Sequence, residues 1–240
     1  MIPSISLSNI NLIYSNKYIL KNINIDIKKG DCVSILGHNG AGKTTLFKIV
    51  NGLIEPTDGT VRIFGNNLNN EVKKRIGYIP QINTFEKNIP ITVKQVIEIG
   101  ITARKGLFKK LSKQDNLLVE SIAAKLDINK LLNVPIGKLS GGEIQKVSIA
   151  RVLAQQADIF LLDEPLSNLD VKSQKNIIEI IENIHFEKKA TILIVLHNFE
   201  QKPKCCNKEI VLEKDLCAGT TLENHISAVK VMKSCHITIE

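Results

Sequence analysis

The chain has 240 residues, 43% hydrophobic and 23% charged, with a formal net charge of +8. This is ordinary globular composition, long enough for one large domain or a core domain with an insert. No apolar stretch has the length of a membrane span, Met1 to Leu20 lacks a basic start followed by an apolar run, and the lysines are dispersed instead of forming a basic block.

Residues 5–13 begin with an apolar–polar alternation, Ile5-Ser6-Leu7-Ser8-Asn9-Ile10, as a half-buried strand does. A second alternating segment covers 19–27, and Lys28-Lys29-Gly30-Asp31 reads as a turn. Cys32-Val33-Ser34-Ile35-Leu36 is a short buried-type strand, followed by a glycine-rich loop and a helix from Thr44 to Asn51. A turn at Glu55–Gly59 leads into a strand from Thr60 to Phe64. Residues 92–133 carry mostly helical periodicity, punctuated at Lys105-Gly106, and suggest a helical insert in an α/β core. Beyond it the pattern predicts a helix over 140–156, a strand over 158–162, a helix over 171–186 and a strand over 190–196. Short strands are expected over 209–222. Strands alternating with helices imply a parallel sheet with right-handed crossovers.

Gly37-His38-Asn39-Gly40-Ala41-Gly42-Lys43-Thr44 matches the phosphate-loop pattern G-x-x-x-x-G-K-[ST] in full, between a buried-type strand and a helix. Glycines let the backbone turn its N–H groups toward phosphate oxygens, and the helix N-terminus adds its dipole. Lys43 is expected to reach the β- and γ-phosphates of ATP. Thr44 is expected to hold Mg²⁺, and Thr45 to lie near the α-phosphate. The apolar run Ile159-Phe160-Leu161-Leu162 ends in Asp163-Glu164, at the strand end where open α/β sheets place ligands. Asp163 is a candidate Mg²⁺ ligand, and Glu164 a candidate base for the attacking water.

With these elements in place, Leu139-Ser140-Gly141-Gly142-Glu143 resembles the signature motif of ABC ATPases. Tyr14 stands where that family places an adenine-stacking aromatic, and Gln81 where it places a loop glutamine beside Mg²⁺ and the γ-phosphate. Ser167-Asn168-Leu169-Asp170 resembles the loop that crosses between two subunits, and His197 the switch histidine at the γ-phosphate. The resemblance spans about residues 5–215, and six motifs in the family's order are more specific than any one. It implies a phosphate-loop NTPase core with a mainly parallel sheet and an N-terminal antiparallel β subdomain. It further implies one ATPase domain over 1–240, with a helical subdomain at about 85–152; the tail from about 219 stays unassigned.

The implied activity is ATP hydrolysis, catalysed by Glu164, His197 and Lys43. The nucleotide contacts are Tyr14, Gly37 through Thr45, Gln81, Asp163 and Asp170, with Ser140, Gly141, Gly142 and Glu143 contributed by a second copy. Thr44, Gln81 and Asp163 would bind Mg²⁺. Two ATP molecules would sit between two cassettes, so a homodimer is expected. The signature departs from the commoner Ser-Gly-Gly-Gln in having Glu143, and Lys146 stands where arginine is common. Pro203 should interrupt a helix that the family continues.

Asn88-Ile89-Pro90-Ile91-Thr92-Val93 and Lys105-Gly106-Leu107-Phe108-Lys109-Lys110-Leu111-Ser112 resemble the corresponding segments of ATPases of manganese, zinc or iron importers. The implied function is to power transport through a separate permease, working with a substrate-binding protein. The alternative is a soluble ABC ATPase without a transport role, such as an iron–sulfur cluster assembly ATPase. No nucleic-acid partner is implied. The expected location is the cytoplasm, peripheral on the membrane through the permease alone.

The five cysteines, Cys32, Cys205, Cys206, Cys217 and Cys235, are odd in number and irregular in spacing, which suits a reducing compartment. Cys205, Cys206, Cys217, His225, Cys235 and His236 gather near the C-terminus. They lack the paired C-x₂₋₄-C spacing of zinc sites, so scattered cysteines are expected there.

Overall fold

The computed structural model describes residues 2–81, 90–106, 109–197 and 201–212, and the backbone of 229–233. Two sheets organise it. Strands β1 (Ile5–Tyr14), β2 (Lys17–Ile27), β4 (Asp58–Ile63) and β5 (Asn66–Asn67) form an antiparallel sheet in the order β2-β1-β4-β5. The central sheet has the order β10-β9-β3-β8-β7-β6, from β3 (Cys32–Gly37), β6 (Ile76–Ile79), β7 (Ile159–Asp163), β8 (Thr191–Val195), β9 (Lys208–Leu212) and β10 (Val229–Lys233). Its pairings are parallel except for β10, which runs antiparallel to β9.

The near-continuous apolar runs of β3, β7 and β8 follow from burial on both faces. Cys32, Leu36, Phe160, Leu162, Ile192 and Ile194 face one apolar cluster. Val33, Ile35, Ile159, Leu161, Leu193 and Val195 face the other. The first cluster is closed by α3 (Val93–Lys105), α4 (Lys113–Lys125), α5 (Gly141–Gln155) and α6 (Val171–Lys188). The second is closed by α1 (Lys43–Val50), the four-residue helix α2 (Asn70–Lys73) and the antiparallel sheet.

The helical part is delimited by its own side chains. Thr92, Ser112 and Ser140 each cap a helix, in reciprocal capping boxes with Gln95, Asp115 and Glu143. The expected helical stretch of 92–133 is broken at Gly106, and short 3₁₀ turns at Asn129–Leu131 and Ile136–Lys138 lead into α5. Across the break, Lys105 Nζ lies 2.5 Å from Asp115 Oδ2. That ammonium, with the Ser112 N–H and hydroxyl, holds the Asp115 carboxyl well below the usual carboxylate range.

Two short elements were not expected. Strand β6 is only Ile-Gly-Tyr-Ile, and a central glycine weakens a strand signal. Gly77 is nevertheless required, because a Cβ there would lie 2.0 Å from Val152 Cγ1 of α5. As an edge strand, β6 and its approach have carbonyls to satisfy, and α5 supplies donors. Gln155 Nε2 donates to the carbonyls of Lys74 and Ile76, and Arg151 to that of Tyr78. Strand β10 lies within the tail left unassigned. The expected strands over 209–222 are represented by β9, the rest lying outside the described residues. Gln201 to Asn207 holds no α-helix, in keeping with Pro203.

Helix α3 packs against α5 at Gly100, where a Cβ would lie 1.9 Å from the Arg151 carbonyl oxygen. Backbone cannot yield as a flexible side chain would. Gly100→Ala should therefore destabilise the chain by about 2 kcal/mol, despite the gain in helix propensity. Urea unfolding checks this, and an unchanged midpoint would mean that the two helices stand further apart.

Candidate functional site

The loop between β3 and α1 owes its shape to glycine. Gly40 and Gly42 adopt φ of +80° and +93°. At Gly42 a Cβ would also lie 2.7 Å from Leu20 Cδ2, and at Gly37 one would lie 2.4 Å from the Leu212 carbonyl oxygen. The 5% exposed Lys43 points its ammonium into the loop, donating to the carbonyls of Gly37 at 2.7 Å and His38 at 3.0 Å. Burial pulls the Lys43 ammonium down in pKa, and the Glu164 and Asp163 carboxylates oppose this.

A cavity of about 510 Å³ opens over this loop, lined by Asn39, Gly40, Gly42, Lys43, Thr44 and Thr45 on one side. Gln81, Glu164 and His197 line the other, with Ile19 completing the wall. Those three follow β6, β7 and β8, so parallel strands deliver them to one edge of the sheet. Glu164 Oε2 is their meeting point, accepting from Gln81 Nε2 at 2.5 Å and lying 2.6 Å from His197 Nε2. The Glu164 backbone is left-handed, with φ of +50°. Such a conformation costs a residue with a Cβ about 1–3 kcal/mol and persists where the surroundings fix it.

Asp163, the last residue of β7, is 0% exposed. Its Oδ2 accepts from the Tyr78 hydroxyl at 3.3 Å. Its Oδ1 is buried with no hydrogen-bond partner among the described residues. Burial pushes the Asp163 carboxyl up in pKa and the neighbouring Glu164 adds to this, while the Thr44 and Tyr78 hydroxyls pull it down. An unsatisfied buried carboxylate oxygen beside the Thr44 hydroxyl is an acceptor set that suits a hard divalent cation or its water shell. Of the residues expected to hold Mg²⁺, Asp163 and Thr44 thus fit that ion, while the Gln81 amide donates to Glu164.

Not every expected contact gathers here. Tyr14 is 74% exposed at the β1–β2 hairpin and is not among the cavity-lining residues, whereas Ile19 is. His38 contributes its carbonyl to Lys43, and Ala41 is buried in the loop. Ser140, Gly141, Gly142 and Glu143 line no part of the cavity. Their stretch packs instead against the start of α6. A Cβ on Gly142 would lie 2.9 Å from Ser173 Oγ, and one on Gly141 3.2 Å from Leu169 Cδ2. Glu143 is a capping group in this chain. Its Oε2 accepts from the Ser140 N–H at 2.8 Å and hydroxyl at 2.7 Å, and these bonds hold its carboxyl low in pKa. Asp170 caps α6 in the same manner through Ser173.

Three supporting residues were not anticipated. Tyr78 reaches Asp163, Arg151 holds the Tyr78 carbonyl at 2.7 Å, and Ile19 walls the cavity. An Ile-Gly-Tyr-Ile segment just before Gln81 was the available signal for Tyr78; Arg151 and Ile19 gave none.

The geometry agrees with what the chain resembles. A family model described as ABC transporter matches residues 20–167. The manganese transport system ATP-binding protein MntB of Halalkalibacterium halodurans is 35% identical over 218 residues, 91% of this chain and 86% of that one. The high-affinity zinc uptake system ATP-binding protein ZnuC of Bacillus subtilis is 35% identical over 211 residues, 88% and 91% of the two chains. Among solved structures, the dimeric structure of MJ0796, a bacterial ABC transporter cassette, superposes with a TM-score of 0.72 at 29% identity, covering 87% of this chain and 94% of that one. With its glycine loop, strand-end carboxylates and signature helix in a single chain, this protein belongs to the ABC transporter family as one of its nucleotide-binding ATPases.

Proposed function

We propose that this chain is the ATP-hydrolysing subunit of a metal-ion importer, acting on a separate membrane permease as one of two cassettes. The observation that carries the chemistry is the convergence of Gln81 and His197 on Glu164 Oε2, opposite Lys43 across one cavity. The proposed cargo class rests on the manganese and zinc relatives. Among the described residues no helix is long and apolar enough to cross a membrane, so a route through the bilayer would come from partner chains, with a substrate-binding protein delivering cargo. That arrangement puts the cassette on the cytoplasmic face of the membrane.

In this reading residues 1–240 act as one nucleotide-binding domain with a helical subdomain at about 85–152, of which 85–89 and 107–108 lie outside the described residues. ATP lies along Gly37–Thr45, with Tyr14 as the adenine contact. Thr44, Gln81 and Asp163 would hold Mg²⁺, which would supply charge neutralisation to the phosphates. Lys43 reaches the same phosphates. Glu164 accepts a proton from the attacking water, and Gln81 and His197 orient its carboxylate. His197 and Lys43 then stabilise the charge that grows on the γ-phosphate.

Ser140, Gly141 and Gly142 sit at the N-terminus of α5, where helix N–H groups favour an anion. They are not among their own chain's cavity-lining residues, so they serve the site of a second copy, with Glu143 bracing Ser140 and Asp170 shaping the crossing loop. The dimeric cassette relative supports this pairing.

Glu164→Gln should lower ATP turnover by at least about 100-fold while leaving nucleotide binding intact. A phosphate-release assay beside a nucleotide-binding titration measures both, and retained turnover would remove Glu164 from the role of base. With ATP, the Glu164→Gln chain should elute at twice its monomer mass. Adding Ser140→Arg should abolish that shift, and its persistence would place the dimer contact elsewhere. The transport role is tested by capturing the tagged chain from detergent-solubilised membranes. Recovery with a polytopic permease is expected; recovery with soluble assembly proteins alone would overturn transport and leave the ATPase chemistry standing.

A further inference from the structure

Cys32 opens β3, while Cys205 and Cys206 immediately precede β9. Those strands are parallel neighbours, with Val33 opposite Lys208. Residues 173 positions apart are thereby brought to the same edge of the sheet, with Cys205 Sγ 3.3 Å from Cys32 Sγ. All three sulfurs lie within 4.8 Å of one another. The residues are buried, at 0%, 8% and 3% exposure, in the larger apolar cluster. Their backbone is fixed as well: the Asn207 N–H donates to the Cys32 carbonyl at 3.2 Å, and the Cys206 N–H to the Pro203 carbonyl at 3.0 Å.

A single buried cysteine behaves as a small apolar residue. Three whose sulfurs converge are a different object. An ion bonded to three sulfurs at about 2.3 Å each separates them by about 4 Å in a plane, within reach of small side-chain rotations here. The Cys206 and Cys32 side chains draw the Cys205 thiol down in pKa, with nearby His185 adding to this, while Cys205 pushes the Cys32 and Cys206 thiols up. Each thiol that coordinates a metal ion releases its proton to solvent.

The softness of the ligand set selects the ion. Among the described residues no other cysteine, histidine or carboxylate joins the group. Structural zinc takes four ligands, and iron–sulfur clusters take four cysteines. An all-sulfur set suits a soft ion, and Cu(I) accepts three sulfurs without a fourth. We propose that Cys32, Cys205 and Cys206 form a buried three-sulfur site for a soft monovalent metal ion of the Cu(I) class.

The site is distinct from the nucleotide cavity. Cys32 is at the N-terminal end of β3 and the phosphate loop at its C-terminal end, about 17 Å away at about 3.3 Å per residue. It also stands independently of the cargo reading, since it lies inside the ATPase chain and needs no permease.

The test is an anaerobic titration of the full chain with Cu(I) against a chromophoric Cu(I) chelator, with sulfur coordination read by X-ray absorption. The expected result is one Cu(I) per chain with a three-sulfur shell. Affinity should be kept in Cys217→Ala/Cys235→Ala and fall by at least about 100-fold in Cys32→Ala and in Cys205→Ala/Cys206→Ala. ATP binding verifies that each variant is folded, and Cys32→Ser, which nearly conserves volume, should show the same loss should Cys32→Ala fail to fold. Binding unchanged by loss of Cys32, or lost with Cys217 and Cys235, would overturn the site. Displacement of Cu(I) by equimolar Zn²⁺ would overturn the choice of ion.

Discussion

Burial of the central sheet on both faces is the constraint from which the site follows. Strands β3, β7 and β8 send alternate side chains into two separate apolar clusters, so neither face can hold a charged group without a large desolvation cost. Polar chemistry is therefore displaced to the strand ends. At the C-terminal edge, β3 delivers the glycine loop, β6 delivers Gln81, β7 delivers Asp163 and Glu164, and β8 delivers His197. Parallel pairing places these ends side by side, which antiparallel strands would not do.

Within that edge the two adjacent carboxylates are held in different environments. Asp163 is fully buried with one oxygen unsatisfied, and burial raises its pKa, as expected of a group whose charged form needs a cation nearby. Glu164 lies at the cavity wall and receives Gln81 and His197 on a single oxygen. A left-handed backbone at Glu164 allows consecutive side chains to serve such different purposes. In chemical terms, the buried carboxylate suits a cation, and in the proposed mechanism its neighbour is the base.

The sequence disclosed these features unevenly, for physical reasons. Apolar runs such as Ile159–Leu162 announce a strand buried on both faces, and a glycine pattern ending in Lys43-Thr44 announces a phosphate cradle, because each signal is local. Strand β6 was hidden because its glycine is dictated by Val152 of a helix distant in sequence. Arg151 and Gln155 were illegible for the same reason, since their partners are carbonyls at a sheet edge. The capping role of Glu143 is legible in part, because Ser140 and Glu143 stand at capping-box spacing, although the signature resemblance implies a nucleotide contact for the same residue.

The cysteines carry the same lesson further. Grouping them by spacing gathered Cys205 and Cys206 with Cys217 and Cys235, whereas strand order joins Cys205 and Cys206 to Cys32 across 173 residues. Spacing rules for metal sites describe ligands on one hairpin or one helix. They are silent where parallel pairing supplies the proximity. A parallel sheet has two edges, and each aligns the ends of several strands. The C-terminal edge is open, so hard oxygen and nitrogen ligands can meet water and phosphate there. At the N-terminal edge Cys32, Cys205 and Cys206 are buried in the larger apolar cluster, while the adjacent Asp31 carboxylate is satisfied by the Lys28 N–H and the Lys208 ammonium. Protonated sulfur tolerates such burial with little desolvation cost when no metal is bound, and an all-sulfur ligand set suits a soft ion.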